Sequence, residues 1–83
     1  MTKSTFTERY DYFRKLLVDA RLSANLTQVE LADRLQRPQS FVSKYERAER
    51  RIDVVEFLEI ADAIGIDPFE LLKQLKGHAR NGH

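Results

Sequence analysis

Residues 27–46 read Thr27-Gln28-Val29-Glu30-Leu31-Ala32-Asp33-Arg34-Leu35-Gln36-Arg37-Pro38-Gln39-Ser40-Phe41-Val42-Ser43-Lys44-Tyr45-Glu46, and this stretch decides the fold. Thr27 and Glu30 have the spacing of a capping box, in which a hydroxyl and a carboxylate each satisfy a free amide at a helix start. Val29, Leu31, Ala32 and Leu35 then supply apolar positions, with Leu31 and Leu35 one turn apart. Arg37-Pro38 ends that helix, because the residue before a proline is pushed out of the α region. Proline is tolerated in the first turn of the next helix, where its missing N–H is not needed. This second helix spans about Gln39 to Arg47, with Val42 and Tyr45 facing inward. Phe41 has two possible uses: packing against the preceding helix, or presenting its ring outward to a partner. Gln39, Ser40, Ser43 and Lys44 form one polar face of amide, hydroxyl and ammonium groups without a carboxylate. A surface meant only for solvent usually mixes signs, so this one reads as a recognition face.

Around that stretch, 83 residues make one domain with no length for a second core. A hydrophobic content of 42% suits a folded globule, and 33% charged residues give a well-solvated surface. Without cysteine there are no disulfides and no thiolate zinc sites. No apolar run reaches the length of a membrane span, and Thr2 to Tyr10 lacks the apolar core of a signal peptide. The expectation is a cytoplasmic protein with no membrane contact. Net charge is only +1, but its distribution is uneven. Arg34, Arg37, Lys44, Arg47, Arg50 and Arg51 make the middle basic. Asp53, Glu56, Glu59, Asp62, Asp67 and Glu70 make the C-terminal half acidic. A polyanion is drawn to the first region and repelled by the second.

In chain order, residues 1–7 are expected to be a disordered segment, with Phe6 able to pack before the first helix and Thr7 able to cap it. That helix spans about Glu8 to Ala24 and shows Phe13, Leu16, Leu17 and Ala20 on one face. Asn25 follows where a left-handed residue is wanted. After the basic loop Arg47 to Arg51, Ile52 anchors the exit. Asp53 starts a fourth helix with Glu56 as a cap partner. It runs to Ile64, with Val54 or Val55, Phe57, Leu58, Ala61 and Ile64 as burial candidates, and Gly65 closes it. Asp67-Pro68-Phe69-Glu70 opens a short fifth helix to about Leu75, closed by Lys73, Lys76 and Gly77. Residues 8–76 are the folded domain and 77–83 a flexible tail. With no strand alternation, the fold class is all-α.

Thr27-Gln28-x-Glu30-Leu31-Ala32 followed by Gln39-Ser40-Phe41-Val42-Ser43-Lys44-Tyr45-Glu46 resembles the helix-turn-helix of the lambda-repressor/Cro-like (XRE-type) family. The likeness runs from about Phe13 to Leu75. It implies a compact five-helix DNA-binding domain with the helix-turn-helix at helices two and three. Asn25 and Gln36 stand where that family often places glycine. A positive φ at Gln36 would cost about 1 kcal/mol relative to glycine.

The resemblance also assigns roles. Gln39 and Ser40, opening the reading helix, reach base edges in the major groove; a glutamine amide can donate to and accept from adenine at once. Ser43 and Lys44 lie one turn on, and Lys44 reads guanine or binds phosphate. Gln28 bonds a backbone phosphate at the start of helix two, and Arg37, Arg47 and Arg50 extend that track, setting affinity and salt dependence. Arg21 and Glu46 match an arginine–glutamate pair that ties helix three to helix one in relatives.

Phe69, Leu72 and Leu75 give the last helix more apolar surface than a monomer uses, with Leu71 toward the core. They are the expected interface of a two-fold dimer. The functional expectation is a sequence-specific regulator that binds a near-palindromic duplex operator as a homodimer, a repressor by occlusion or an activator by touching RNA polymerase. Controller proteins of restriction systems, prophage repressors and antitoxins share this minimal form. The alternative is a DNA-binding antitoxin or interaction module whose main partner is another protein, such as a cognate toxin. Glu56, Glu59 and Asp62 lie on the exposed side of helix four without a histidine or nucleophile nearby, so no enzyme is expected. His78 and His83 lack a third ligand, and no metal or cofactor is expected.

Overall fold

The computed structural model describes residues 7–80. The expectations for residues 1–6, Phe6 included, and for 81–83, His83 included, lie outside the described residues. The chain forms α1 (Glu8–Ser23), α2 (Gln28–Leu35), α3 (Gln39–Glu46), α4 (Val54–Ile64) and α5 (Pro68–Arg80), with no strand among the described residues. Starts and stops follow local chemistry. The Thr7 hydroxyl accepts the Tyr10 N–H at the head of α1. Thr27 with Glu30, and Asp53 with Glu56, close complete capping boxes at α2 and α4.

The first four helices end alike, each on a residue of positive φ: Asn25 (60°), Gln36 (57°), Ala48 (63°) and Gly65 (91°). In each case the next amide reaches back to a carbonyl of the last turn: Leu26 to Arg21, Arg37 to Ala32, Glu49 to Lys44 and Ile66 to Ala61. Gln36 thus takes the strained conformation its position asks for. Ala48 does the same in what the sequence presents only as a basic loop, and alanine gives no local hint of it.

Leu17, Leu31, Val42, Tyr45 and Ile60 are the largest fully buried side chains, so α1 to α4 all contribute to one core, and Leu71 joins them from α5. Phe13 meets the Phe57 ring edge-on at 5.3 Å, which locks α1 to α4. Phe41 packs in the core, with its ring edge-on to Tyr45 at 5.6 Å.

Two expectations need correction. Helix α5 does not stop at Gly77. The residue sits inside the helix, which continues to Arg80, and the His78 ring stacks on Tyr12 of α1 at 3.9 Å. The stretch expected to be a tail is therefore helical as far as the description reaches. On α4, Val54, Val55 and Leu58 are exposed while Ile60 is buried, and Glu56 is turned inward instead of lying on the exposed side.

The Tyr45 hydroxyl is buried and finds no hydrogen-bond partner among the described residues. Burial first, then the Glu46 charge, pushes its pKa up. Tyr45→Phe keeps the ring and removes the stranded group, so a gain of about 1 kcal/mol is expected. In a domain of this size that appears as a melting-temperature rise of roughly 4–8 °C. A fall in melting temperature would mean that the hydroxyl is satisfied in solution.

Candidate nucleic-acid interface

Helix α3 has two unlike sides. Its inner side carries Phe41, Val42, Tyr45 and Glu46, all buried. Its outer side carries Gln39, Ser40 and Lys44, which are exposed, and Ser43, which is half-buried. Ser43 turns its hydroxyl back to the Ser40 carbonyl at 3.4 Å. The outer side lacks a carboxylate because the helix's one acid, Glu46, is used inside. Its Oε2 accepts Arg21 Nε at 2.8 Å, and its Oε1 accepts Arg21 NH2 at 3.1 Å and Gln28 Nε2 at 2.9 Å. Arg21 also donates to the Leu26 carbonyl at 2.7 Å. The guanidinium of Arg14 caps the Glu46 carbonyl from α1, a favourable place for a cation because helix C-termini carry partial negative charge.

This network reaches the outer side through Gln28. Its amide NH2 is held by Glu46, and its oxygen faces Gln39 Nε2 at 3.4 Å. The first residue of α2 and the first residue of α3 therefore stand side by side, with Gln28 oriented from behind by a buried carboxylate.

The basic residues divide into two groups. Among the described residues Lys44 forms no ion pair and Arg47 pairs only with Glu49, at the surface, at 3.0 Å. Arg37 and Arg50 are half-buried and turned toward α4. Arg50 pairs with Glu56 at 2.8 Å, and Arg37 lies 3.7 Å from Glu56 and 3.3 Å from Glu59. Both guanidinium groups lie over the Phe41 ring, 4.4 Å (Arg37) and 4.9 Å (Arg50) from its centre. Hydrogen bonds from Arg50 pull the Glu56 carboxyl down from 4.5 to about 2, against the burial that would raise it. Glu56 is the residue that sequence reasoning undervalued. Its signal was its place three residues after Asp53, which marks it as a cap partner and so fixes its direction.

The exposed apolar surface belongs to α4 and α5. Phe69 is 71% exposed, Leu72 41%, Val54 72% and Val55 63%. Leu72 and half-buried Leu75 line an open groove of about 350 Å³ with Val54, Phe57, Phe13 and Tyr10. No described group of acids and histidines could hold a metal ion, and no described helix is long and apolar enough to cross a membrane.

No curated protein matches the chain. The helix-turn-helix family matches residues 17–71. Among solved structures, an XRE-family like protein from Pseudomonas syringae pv. tomato str. DC3000 is 54% identical with a TM-score of 0.82, over 84% of this chain and 85% of that one. The restriction-modification controller protein C.AhdI from Aeromonas hydrophila is 34% identical with a TM-score of 0.65, over 71% of this chain and 89% of that one. The chain belongs to the XRE-type family of helix-turn-helix DNA-binding transcription regulators.

Proposed function

We propose that the protein binds a near-palindromic duplex operator as a homodimer and represses by occluding the promoter. The observation that carries this reading is the outer side of α3, free of carboxylate because Glu46 is spent on Arg21 and Gln28. A helix with its side chains is about 10–12 Å across, which matches the width of the major groove. With α3 in that groove, Gln39 and Ser40 address base edges, and Ser43 and Lys44 follow one turn on. Gln28 serves two purposes: it faces a backbone phosphate at the start of α2, and its oxygen steadies the Gln39 amide. Arg47 adds a phosphate contact at the exit, while Arg37 and Arg50 lie at the margin of the track with their charge already engaged.

Dimerisation uses Phe69, Leu72 and Leu75 together with the exposed valines of α4. The protomer measures 38 × 28 × 21 Å. Two copies side by side can therefore set their reading helices one DNA turn apart, roughly 34 Å. The likeness to a restriction-modification controller supports a regulatory role. The exposed apolar face also suits a second reading, in which another protein, such as a toxin, covers it.

The test begins with selection of bound duplexes from a random pool. Gln39→Ala or Lys44→Ala should then weaken binding to the selected site by about 1–3 kcal/mol, with melting and helicity unchanged. Unchanged affinity in both variants would remove α3 as the reading element. Failure of any duplex in the pool to be enriched would favour the protein-partner reading.

A further inference from the structure

Between the turn that enters α3 and the loop that leaves it, two guanidinium groups share one carboxylate. Arg50 donates to both oxygens of Glu56, NH1 to Oε1 at 2.9 Å and NH2 to Oε2 at 2.8 Å. Arg37 approaches the same Oε2 at 3.7 Å and donates from NH2 to Glu59 Oε1 at 3.3 Å. Phe41 provides the floor for both cations, and it follows Ser40 directly in α3. Arg37 lies two residues before Gln39. The pair therefore borders the reading face; it is not remote from it.

Glu56 is not free to swing away. Its residue is 9% exposed, and its Oε1 also accepts the Asp53 amide at 3.0 Å as half of the capping box that starts α4. A carboxylate fixed in this way is a permanent counter-charge. A phosphate approaching Arg37 or Arg50 must share the cation with it, and separating the Arg50 pair would leave a nearly buried anion alone.

We propose that Glu56 is an internal counter-anion that holds Arg50, and together with Glu59 holds Arg37, off the phosphate track and lowers the protein's affinity for DNA of any sequence. Nonspecific attraction comes from cations that neutralise phosphates and release counterions. Genomic DNA offers a vast excess of such sites, so what matters is the ratio of operator to nonspecific binding. Silencing two cations beside the reading face raises that ratio without touching Gln39 or Lys44. The inference rests on the DNA-binding reading of α3.

Glu56→Gln is the informative variant, because glutamine also completes a capping box and so preserves the start of α4. Binding of a short duplex of scrambled sequence is followed by fluorescence anisotropy across a salt series, with helicity and melting checked in parallel. The plot of log affinity against log salt should steepen by about 0.9 for the release of Arg50, while Arg37 keeps its pair with Glu59. The variant's advantage over wild type should then grow about three- to fourfold as salt falls from roughly 200 to 50 mM. Arg50→Gln added to Glu56→Gln should return about 0.9 of that slope. A folded Glu56→Gln protein with an unchanged or shallower slope overturns the proposal. Arg50→Gln alone tests it without altering Glu56: the slope should stay at the wild-type value, and a loss of about 0.9 overturns the proposal as well. Lys44→Ala separates the two levels. If it also leaves duplex binding unchanged, the reading of α3 fails; if it weakens binding while Glu56→Gln does nothing, only the counter-anion fails.

Discussion

Glu46→Ala is expected to remove about 3–5 kcal/mol of stability, a large part of what holds a domain of this size folded. The carboxylate is the meeting point of three elements. It receives two hydrogen bonds from Arg21 of α1 and one from Gln28 of α2, and it belongs to α3. Alanine leaves the Arg21 guanidinium, in a residue only 8% exposed, with the Leu26 carbonyl as its remaining acceptor. The loss is then mainly that of a stranded buried charge, which exceeds the net worth of the intact pair. Glu49→Ala is the matched control. It removes a carboxylate of the same type three residues away, from an exposed pair with Arg47 that water and salt screen, so its loss should change stability little. Urea unfolding followed by circular dichroism should give a much lower midpoint for Glu46→Ala than for Glu49→Ala. Equal midpoints would refute the assignment.

The same carboxylate links stability to recognition. Gln28 loses its anchor when Glu46 is removed, and with it the oxygen that faces Gln39. Any Glu46 variant that still folds should therefore bind the operator more weakly than its residual stability alone explains. The buried network is what allows α3 to present amides, hydroxyls and one ammonium group while its single acid stays out of the way.

Legibility in the sequence tracked how local each signal was. Thr27 with Glu30 and Asp53 with Glu56 announced helix starts because a capping box is complete within four residues, and Asn25 and Gly65 announced stops for a similar reason. Val42 and Tyr45 pointed inward as their spacing required. Where the pattern was ambiguous, the reading failed. Helix α4 carries Val54, Val55, Phe57, Leu58, Ile60, Ala61 and Ile64, so it is apolar nearly all round and periodicity cannot choose a buried side. The choice is made by α2, which packs against α4, and by Phe13 of α1, which meets Phe57, and this is tertiary information. Gly77 failed for a different reason: glycine ends a helix only when the next residues give the chain somewhere to go, and here His78 finds Tyr12. At the site, the polar side of α3 could be read directly. Which arginines were already engaged could not, because Arg50 and Glu56 meet across a loop and Arg37 reaches them from another turn.

The proposed homodimer predicts that Leu72→Lys yields a monomer with operator affinity reduced by about 10²-fold or more. Leu72 is 41% exposed and lines the groove with Val54 and Leu75, so a lysine there can extend into water in an isolated protomer. Its melting temperature at low protein concentration should change little. In a two-fold interface each copy contributes the same patch, so one substitution places two ammonium groups at a seam whose remaining members, Phe69, Leu75, Val54 and Val55, are apolar. Desolvating those charges against apolar surface opposes association. Operator binding then suffers through geometry alone. A dimer engages its second half-site at the high effective concentration set by the first, and a monomer must pay for each half-site separately. Sedimentation reads the first effect, and titration of full and half operators reads the second. The variant should bind a half-site as tightly as wild type does and lose only the advantage of the full site. A wild-type protein that sediments as a monomer at high concentration would end the argument, and an equal loss on half and full sites would place Leu72 in the fold instead of the interface.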